Sequence, residues 1–272
     1  KYVSNIVNNL VTIATVCVQI AVLALFRSFI GYIAVQLLGG IVQGLIGAVV
    51  VNKRYPYLKE NRKEQLPKDE KKKVFKNLFA MSLYKLSSAV LSATDNLIIS
   101  AKISTLVVGI HSNYVLILSA VTQLVQNIFS AFTASVGNLF AVEKKEKSEF
   151  VFRCLNFLNF WIYGFCAVCL WNLFNPFIEL MWGKDMLFDD FTVLCIVLNF
   201  LTAGLQNAVI SYKDACGLFW QGRYRPAASA ALNIIVSLLL VKPLGVAGVF
   251  LGTIISRFLT TWWFDARLVH RH

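Results

Sequence analysis

Apolar residues occupy eight long stretches of the chain, and short polar segments separate them. A helix needs about 20 mostly apolar residues to cross a hydrocarbon core, because each residue adds about 1.5 Å of rise. The pattern therefore predicts an all-α integral membrane protein, a polytopic bundle of about eight transmembrane helices. The predicted helices run from Ile6 to Phe26, Ile30 to Val51, Leu78 to Ser100, Leu106 to Val136, Phe150 to Leu173, Phe191 to Tyr212, Pro226 to Val241 and Val246 to Phe264.

Composition excludes two other classes of protein. Of the 272 residues, 57% are hydrophobic and 15% are charged, and the mean hydropathy is +0.65. Ordinary soluble domains carry about 25% charged residues, so neither a soluble domain nor a disordered chain fits. The six cysteines lie mostly in apolar segments, which predicts no disulfide scaffold. Cys166 and Cys169 have no polar neighbours in sequence and are expected to pack as small apolar side chains.

The distribution of basic residues predicts the topology. Cytoplasmic loops near helix ends are enriched in Lys and Arg. One alternating set of predicted loops holds 20 of the 26 basic residues and the other set holds 4, while Lys85 and Arg257 fall inside helices. Both ends of the chain are therefore expected on the cytoplasmic side of the cell membrane.

A hydrophilic stretch from Asn52 to Lys76 divides the chain. We expect two transmembrane helices in residues 1–52, a basic cytoplasmic linker in residues 53–76, and a six-helix transmembrane part in residues 77–272. Lys71 to Lys76 also fit a surface helix that binds anionic lipid headgroups, but a solvated linker is the favoured interpretation, because insertion topology alone produces basic runs beside membrane helices. The chain begins at Lys1 and not at Met, so we expect a piece of a longer protein.

Ionisable residues inside predicted membrane helices are the sharpest functional signal. Each costs roughly 2.5–3.5 kcal/mol on insertion scales unless it is paired or faces water. Lys85 and Asp95 lie in the third predicted helix, His111 in the fourth and Arg257 in the last. A cation in a hydrated cavity suits an anionic substrate, so Lys85, Asp95 and Arg257 are candidate binding residues. The alternative is a set of ion pairs and hydrogen bonds that hold the bundle together.

Uncharged polar residues follow the same logic. Six of them share helix faces in two groups, where they could bind sugar hydroxyls or hold neighbouring helices together. These candidate residues are Gln123, Gln126 and Asn127 in the fourth helix and Asn199, Gln206 and Asn207 in the sixth.

Catalytic motifs are missing from the sequence, so we expect no enzyme and no cofactor. Neither a phosphate-binding glycine loop nor a zinc-protease or serine-hydrolase motif occurs. Asp189 and Asp190 form an adjacent carboxylate pair, but the segment supplies no positioned partner for acid and base catalysis.

Three segments carry a resemblance to a known family. They are LSATDNLIIS at 91–100, DACGLFWQGRYRP at 214–226 and KPLGVAGVFLGT at 242–253. In these segments the chain resembles the polysaccharide flippases of the multidrug/oligosaccharidyl-lipid/polysaccharide exporter superfamily. The resemblance implies two pseudo-symmetric helical halves around a cavity that moves an undecaprenyl-diphosphate-linked oligosaccharide outward. Residues 1–52 would then end the N-terminal half, and residues 77–272 would form the C-terminal half.

The resemblance also implies partners and leaves alternatives. The partners would be the lipid-linked oligosaccharide, membrane lipids, and polysaccharide polymerases and glycosyltransferases, with no nucleic acid. One alternative is a membrane-embedded glycosyltransferase or ligase on the same lipid carrier, but the longest predicted outer connection, Asn175 to Asp190, is short for positioning an acceptor. The other alternative is a structural membrane subunit.

Overall fold

The structure, a computed structural model, describes residues 2–54, 67–142, 145–215 and 220–271. The described residues are helical almost throughout and contain no strand, so the predicted all-α class is confirmed. Half of the predicted linker, residues 55–66, lies outside them, as do residues 143–144 between the predicted fourth and fifth helices. The chain divides into two compact units, Lys1–Lys71 and Lys72–His272, which are unit 1 and unit 2 below.

Unit 1 contains a helical hairpin of α1 (Tyr2–Phe26) and α2 (Phe29–Arg54). Arg27 turns the chain with a φ of 46°, and the Ser28 hydroxyl accepts a hydrogen bond of 3.2 Å from the Gly31 amide. That bond satisfies one of the free amides at the start of α2. Gly39 lies directly against Thr15, so a small residue is needed where the two helices pack.

Unit 2 holds the remaining helices, apart from the first four residues of α3, and they are numbered in chain order. They are α3 (Lys68–Lys102), α4 (Thr105–Val142), α5 (Lys145–Trp182), α6 (Asp190–Leu205), α7 (Asn207–Ala215), α8 (Arg225–Arg257) and α9 (Trp263–Arg271). A short 3₁₀ turn, Lys184–Met186, precedes α6, and a π-helical turn, Phe258–Trp262, joins α8 to α9. The predicted sixth helix is interrupted at Gln206, where α6 ends and α7 begins.

Helix α8 is a folded-back pair of arms. Gly245 has φ 57° and ψ −133°, a backbone conformation that favours glycine, and Pro243 precedes it. Across the bend, the Asn233 amide donates to the Thr253 hydroxyl at 2.6 Å, and the Ser237 hydroxyl donates to the Val249 carbonyl at 3.2 Å. These bonds place the two arms antiparallel. The bend falls between the predicted seventh and eighth helices.

Six helical segments among the described residues are long and apolar enough to cross a membrane, and they fit a multi-pass membrane protein. Large apolar side chains cover much of their surface; Ile30 and Leu180, for example, are each 81% exposed. The six candidate spans are Asn8–Phe26, Phe29–Val50, Thr105–Phe129, Glu149–Trp182, Asp190–Lys213 and Arg225–Arg267. Two features account for the difference between these six spans and the eight predicted helices. Helix α3, which carries Lys85 and Asp95, is not among the six, and the last span contains both arms of α8.

Candidate functional site

Arg257, near the end of α8, is bound by residues of α6. Its guanidinium donates to the Asn199 side-chain oxygen at 2.9 Å, to the Asn199 carbonyl at 3.1 Å and to the Thr202 hydroxyl at 3.1 Å. Two predicted site residues, Asn199 and Arg257, are therefore in direct contact. Hydrogen bonds of a charged donor are stronger than neutral ones, so this contact ties α8 to α6.

Asp95 extends the same group of polar residues from α3. Thr253 and Arg257 both lie close enough to the Asp95 carboxylate to interact with it electrostatically, while the Thr253 hydroxyl donates to the Val249 carbonyl at 3.2 Å. Thr253 also accepts the bond from Asn233, whose side chain is fully buried. One oxygen of Asp95, Oδ1, is buried without a hydrogen-bond partner among the described residues. The group that joins α3, α6 and both arms of α8 is called the core cluster below; it comprises Asp95, Asn199, Thr202, Asn233, Thr253 and Arg257.

Gln206 and Asn207 lie at the interruption between α6 and α7. With its amide oxygen turned toward Trp262, the buried Gln206 side chain accepts from the Trp262 indole nitrogen at 2.8 Å. The side-chain nitrogen of Asn207 is buried and has no hydrogen-bond partner in the described part of the chain. Both residues thus lie where a helix break in α6–α7 meets the π-helical turn after α8, and neither contacts Arg257 by a described hydrogen bond.

The polar stripe of α4 is separate from the core cluster. Gln123, Gln126 and Asn127 are exposed, and the Gln123 amide donates to the Asn127 side-chain oxygen at 3.1 Å, one turn along the same helix. The predicted face therefore exists on α4. A role of this stripe in sugar binding stays a prediction.

Lys85 is on a different side of α3 from Asp95. Its side chain is exposed and forms no hydrogen bond or ion pair with a described residue, whereas Asp95 is partly buried. Ser82 and Asn96 are exposed on the same face as Lys85. Lys85 is thus an uncompensated cation on a helix whose opposite face packs inside unit 2.

A second charged group was not predicted from the sequence. Asp265 of α9 forms a salt bridge of 3.7 Å with Lys213 of α7 and a shorter one with Arg225 at the start of α8. The side chains of Asp265 and Lys213 are 3% and 2% exposed. The Lys213 ammonium lies 4.4 Å from the ring centre of Tyr84, whose hydroxyl donates to the Gly222 carbonyl at 3.0 Å. Tyr84, Lys213, Arg225 and Asp265 form the rim cluster.

The sequence analysis missed the rim cluster because it assigned Lys213 and Arg225 to loops. One signal was present: Asp265 follows the last apolar stretch directly, and a carboxylate there needs a cation. One residue of the rim cluster, Arg225, lies within the second resembling motif, 214–226, and the side chains of residues 214–219 of that motif are outside the described part of the chain.

The carboxylate pair at 189–190 has a structural role at the other end of unit 2. Asp189 is the N-cap of α6, and its carboxylate accepts from the Thr192 amide at 3.0 Å and the Thr192 hydroxyl at 2.6 Å. Nearby, the buried Tyr114 hydroxyl donates to the Asn175 side-chain oxygen at 2.7 Å and accepts from the Phe188 amide at 2.9 Å. These bonds connect α4, α5 and the segment before α6.

Histidine, cysteine and carboxylate residues do not gather into a candidate metal site anywhere in the described ranges. No protein-family model, curated protein or solved structure matches the chain.

Proposed function

We propose that this chain is part of a flippase that moves a lipid-linked oligosaccharide across the cytoplasmic membrane. The observation that carries the proposal is Lys85, an exposed cation midway along α3 with no neutralising partner among the described residues. Tyr84, the residue before it, donates to the Gly222 carbonyl and contacts Lys213, so Lys85 lies at the level of the cytoplasmic lipid phosphates, where water or an anion can meet it. A diphosphate between a lipid and a glycan is an anion that suits this position.

The topology of the proposal has eight crossings. The helices α1 and α2 supply two, α3, α4 and α5 supply three, the pair α6–α7 supplies one, and the arms of α8 with α9 supply two. Lys76, Lys213 and Arg225 then lie at the cytoplasmic end of unit 2, and Asp189 lies at the outer end. Contacts within unit 2 support this topology. Lys76 and Arg223 both contact Trp220, so the beginning of α3 and the segment before α8 lie at the same end of unit 2.

Lys85 and Arg257 have different roles in the proposal. Arg257 holds the bundle together, since Asn199 and Thr202 already accept its hydrogen bonds. Lys85 meets the diphosphate, while exposed polar residues such as Gln123 and Gln126 meet sugar hydroxyls. Rocking of two helical halves would expose the site alternately to the two sides.

Complementation of a cell that lacks its own flippase tests the transport function. The protein is expected to restore export of the glycan to the cell surface, and a vector without the gene serves as the control. Purified protein is assayed in parallel for sugar transfer from the lipid carrier to an acceptor. Sugar transfer without a partner enzyme would show that the protein is a ligase and not a flippase. Absence of both export and sugar transfer would favour a structural subunit.

Cysteine labelling tests the topology, which rests on the distribution of basic residues. On a cysteine-free background, a cysteine in place of Glu64 should resist an impermeant thiol reagent in intact cells, and one in place of Asp185 should react. Labelling of both positions after lysis is the control. The reverse pattern in intact cells would contradict the orientation.

A further inference from the structure

Four side chains at one end of unit 2 form an aromatic and basic surface, called the Trp220 patch: Lys76, Trp220, Arg223 and Tyr224. The Lys76 ammonium lies 4.2 Å from the ring centre of Trp220, and the Arg223 guanidinium carbon lies 4.0 Å from the same centre. Arg223 is also 4.5 Å from the ring centre of Tyr224. Stacking on both rings fixes the plane of the guanidinium and thus the direction of its donors.

The basic groups of the Trp220 patch have donors to spare. Arg223 donates one hydrogen bond, of 3.2 Å, to the Trp220 carbonyl, and its Nε is buried without an acceptor in the described part of the chain. The Nε of neighbouring Arg225 has the same status. Neither Lys76 nor Arg223 pairs with a described carboxylate. The carboxylate of the rim cluster, Asp265, is already bound by Lys213 and Arg225. Since these Nε atoms are buried, the donors open to an anion are the exposed Lys76 ammonium and the remaining N–H groups of the half-buried Arg223 guanidinium.

The position of the patch along the chain sets its depth. Lys213 ends one candidate span and Arg225 begins the next, so residues 220–224 lie where the apolar part of unit 2 stops. Lipid phosphates occupy this depth of a bilayer, and Trp and Tyr are enriched there. We propose that the Trp220 patch binds the phosphate of an anionic membrane lipid through Arg223 and Lys76. This inference does not rest on the flippase function.

Native mass spectrometry of the purified protein tests the proposal. The protein is held in mild detergent with equal amounts of phosphatidylglycerol and phosphatidylcholine, and the retained lipids are counted. Arg223→Gln removes charged hydrogen bonds and should lower the preference for phosphatidylglycerol about tenfold. Arg223→Lys keeps the charge without the planar fork and should keep part of the preference. If the melting temperature shows that Arg223→Gln does not fold, Arg223→Lys is used for the comparison with the wild type.

Arg153→Gln is the matched control, because Arg153 is an exposed arginine that pairs with Glu149 one turn away on α5. The control should keep the wild-type preference. An unchanged ratio in Arg223→Gln, or an equal loss in Arg153→Gln, would overturn the proposal. Inorganic phosphate in tenfold excess over lipid should leave the retained phosphatidylglycerol in place; displacement of it would assign the patch to free phosphate.

Discussion

The core cluster and the rim cluster hold charges in different ways. In the core cluster, one guanidinium is bound mainly by neutral oxygens of Asn199 and Thr202. The carboxylates of both clusters, Asp95 and Asp265, keep Oδ1 without a partner in the described part of the chain. In the rim cluster, one carboxylate is shared by two cations and is almost completely buried. Removal of a charge should therefore be more damaging at the rim, where like charges remain, than in the core. Lys85 belongs to neither cluster.

Asp265→Asn gives the largest expected loss of stability. The substitution leaves Lys213 and Arg225 close together without their carboxylate, and breaking a buried ion pair from one side costs about 3–5 kcal/mol. Thermal unfolding in detergent measures the effect, with the exposed Asp185→Asn as the control. A melting temperature within the error of the wild type would mean that Asp265 does not hold the rim cluster together.

Arg257→Met comes second. It removes the three hydrogen bonds to α6 and leaves the Asn199 oxygens without their donor, which costs about 2–3 kcal/mol. The control is Arg153→Met, which breaks an exposed pair worth about 0–1 kcal/mol. Equal unfolding temperatures for the two variants would show that Arg257 does not stabilise the helix bundle.

The two clusters also show how far sequence analysis reaches. Hydropathy predicted the all-α class and the place where α8 bends, because a run of apolar residues and a Pro-Leu-Gly segment act locally. Lys85 and Asp95 lie ten residues apart on one helix, about 80° from each other in projection, so local geometry alone indicates that they do not pair. It could not predict that Asn199 would meet Arg257, 58 positions away, because that contact depends on how α6 and α8 pack. The rim cluster was missed for the same reason, because its residues come from four different helices.

Asp95→Asn should have a smaller effect on stability than Arg257→Met, about 1 kcal/mol or less. The substitution keeps the shape of the side chain and removes a partly buried charge whose Oδ1 has no hydrogen-bond partner in the described part of the chain. The double variant with Arg257→Met should be more stable than the sum of the two single losses predicts, by about 0.5–3 kcal/mol. Strict additivity would show that Asp95 and Arg257 do not interact.

Glycan export by Lys85→Ala, in a cell that lacks its own flippase, tests the division between structural and functional cations most directly. The exposed side chain contributes little to folding, so unfolding should change by less than about 0.5 kcal/mol and the amount of protein in the membrane should stay normal. Export should nevertheless be lost, and Lys85→Arg should restore part of it because the positive charge is kept. Normal export by Lys85→Ala at normal protein level would contradict the account.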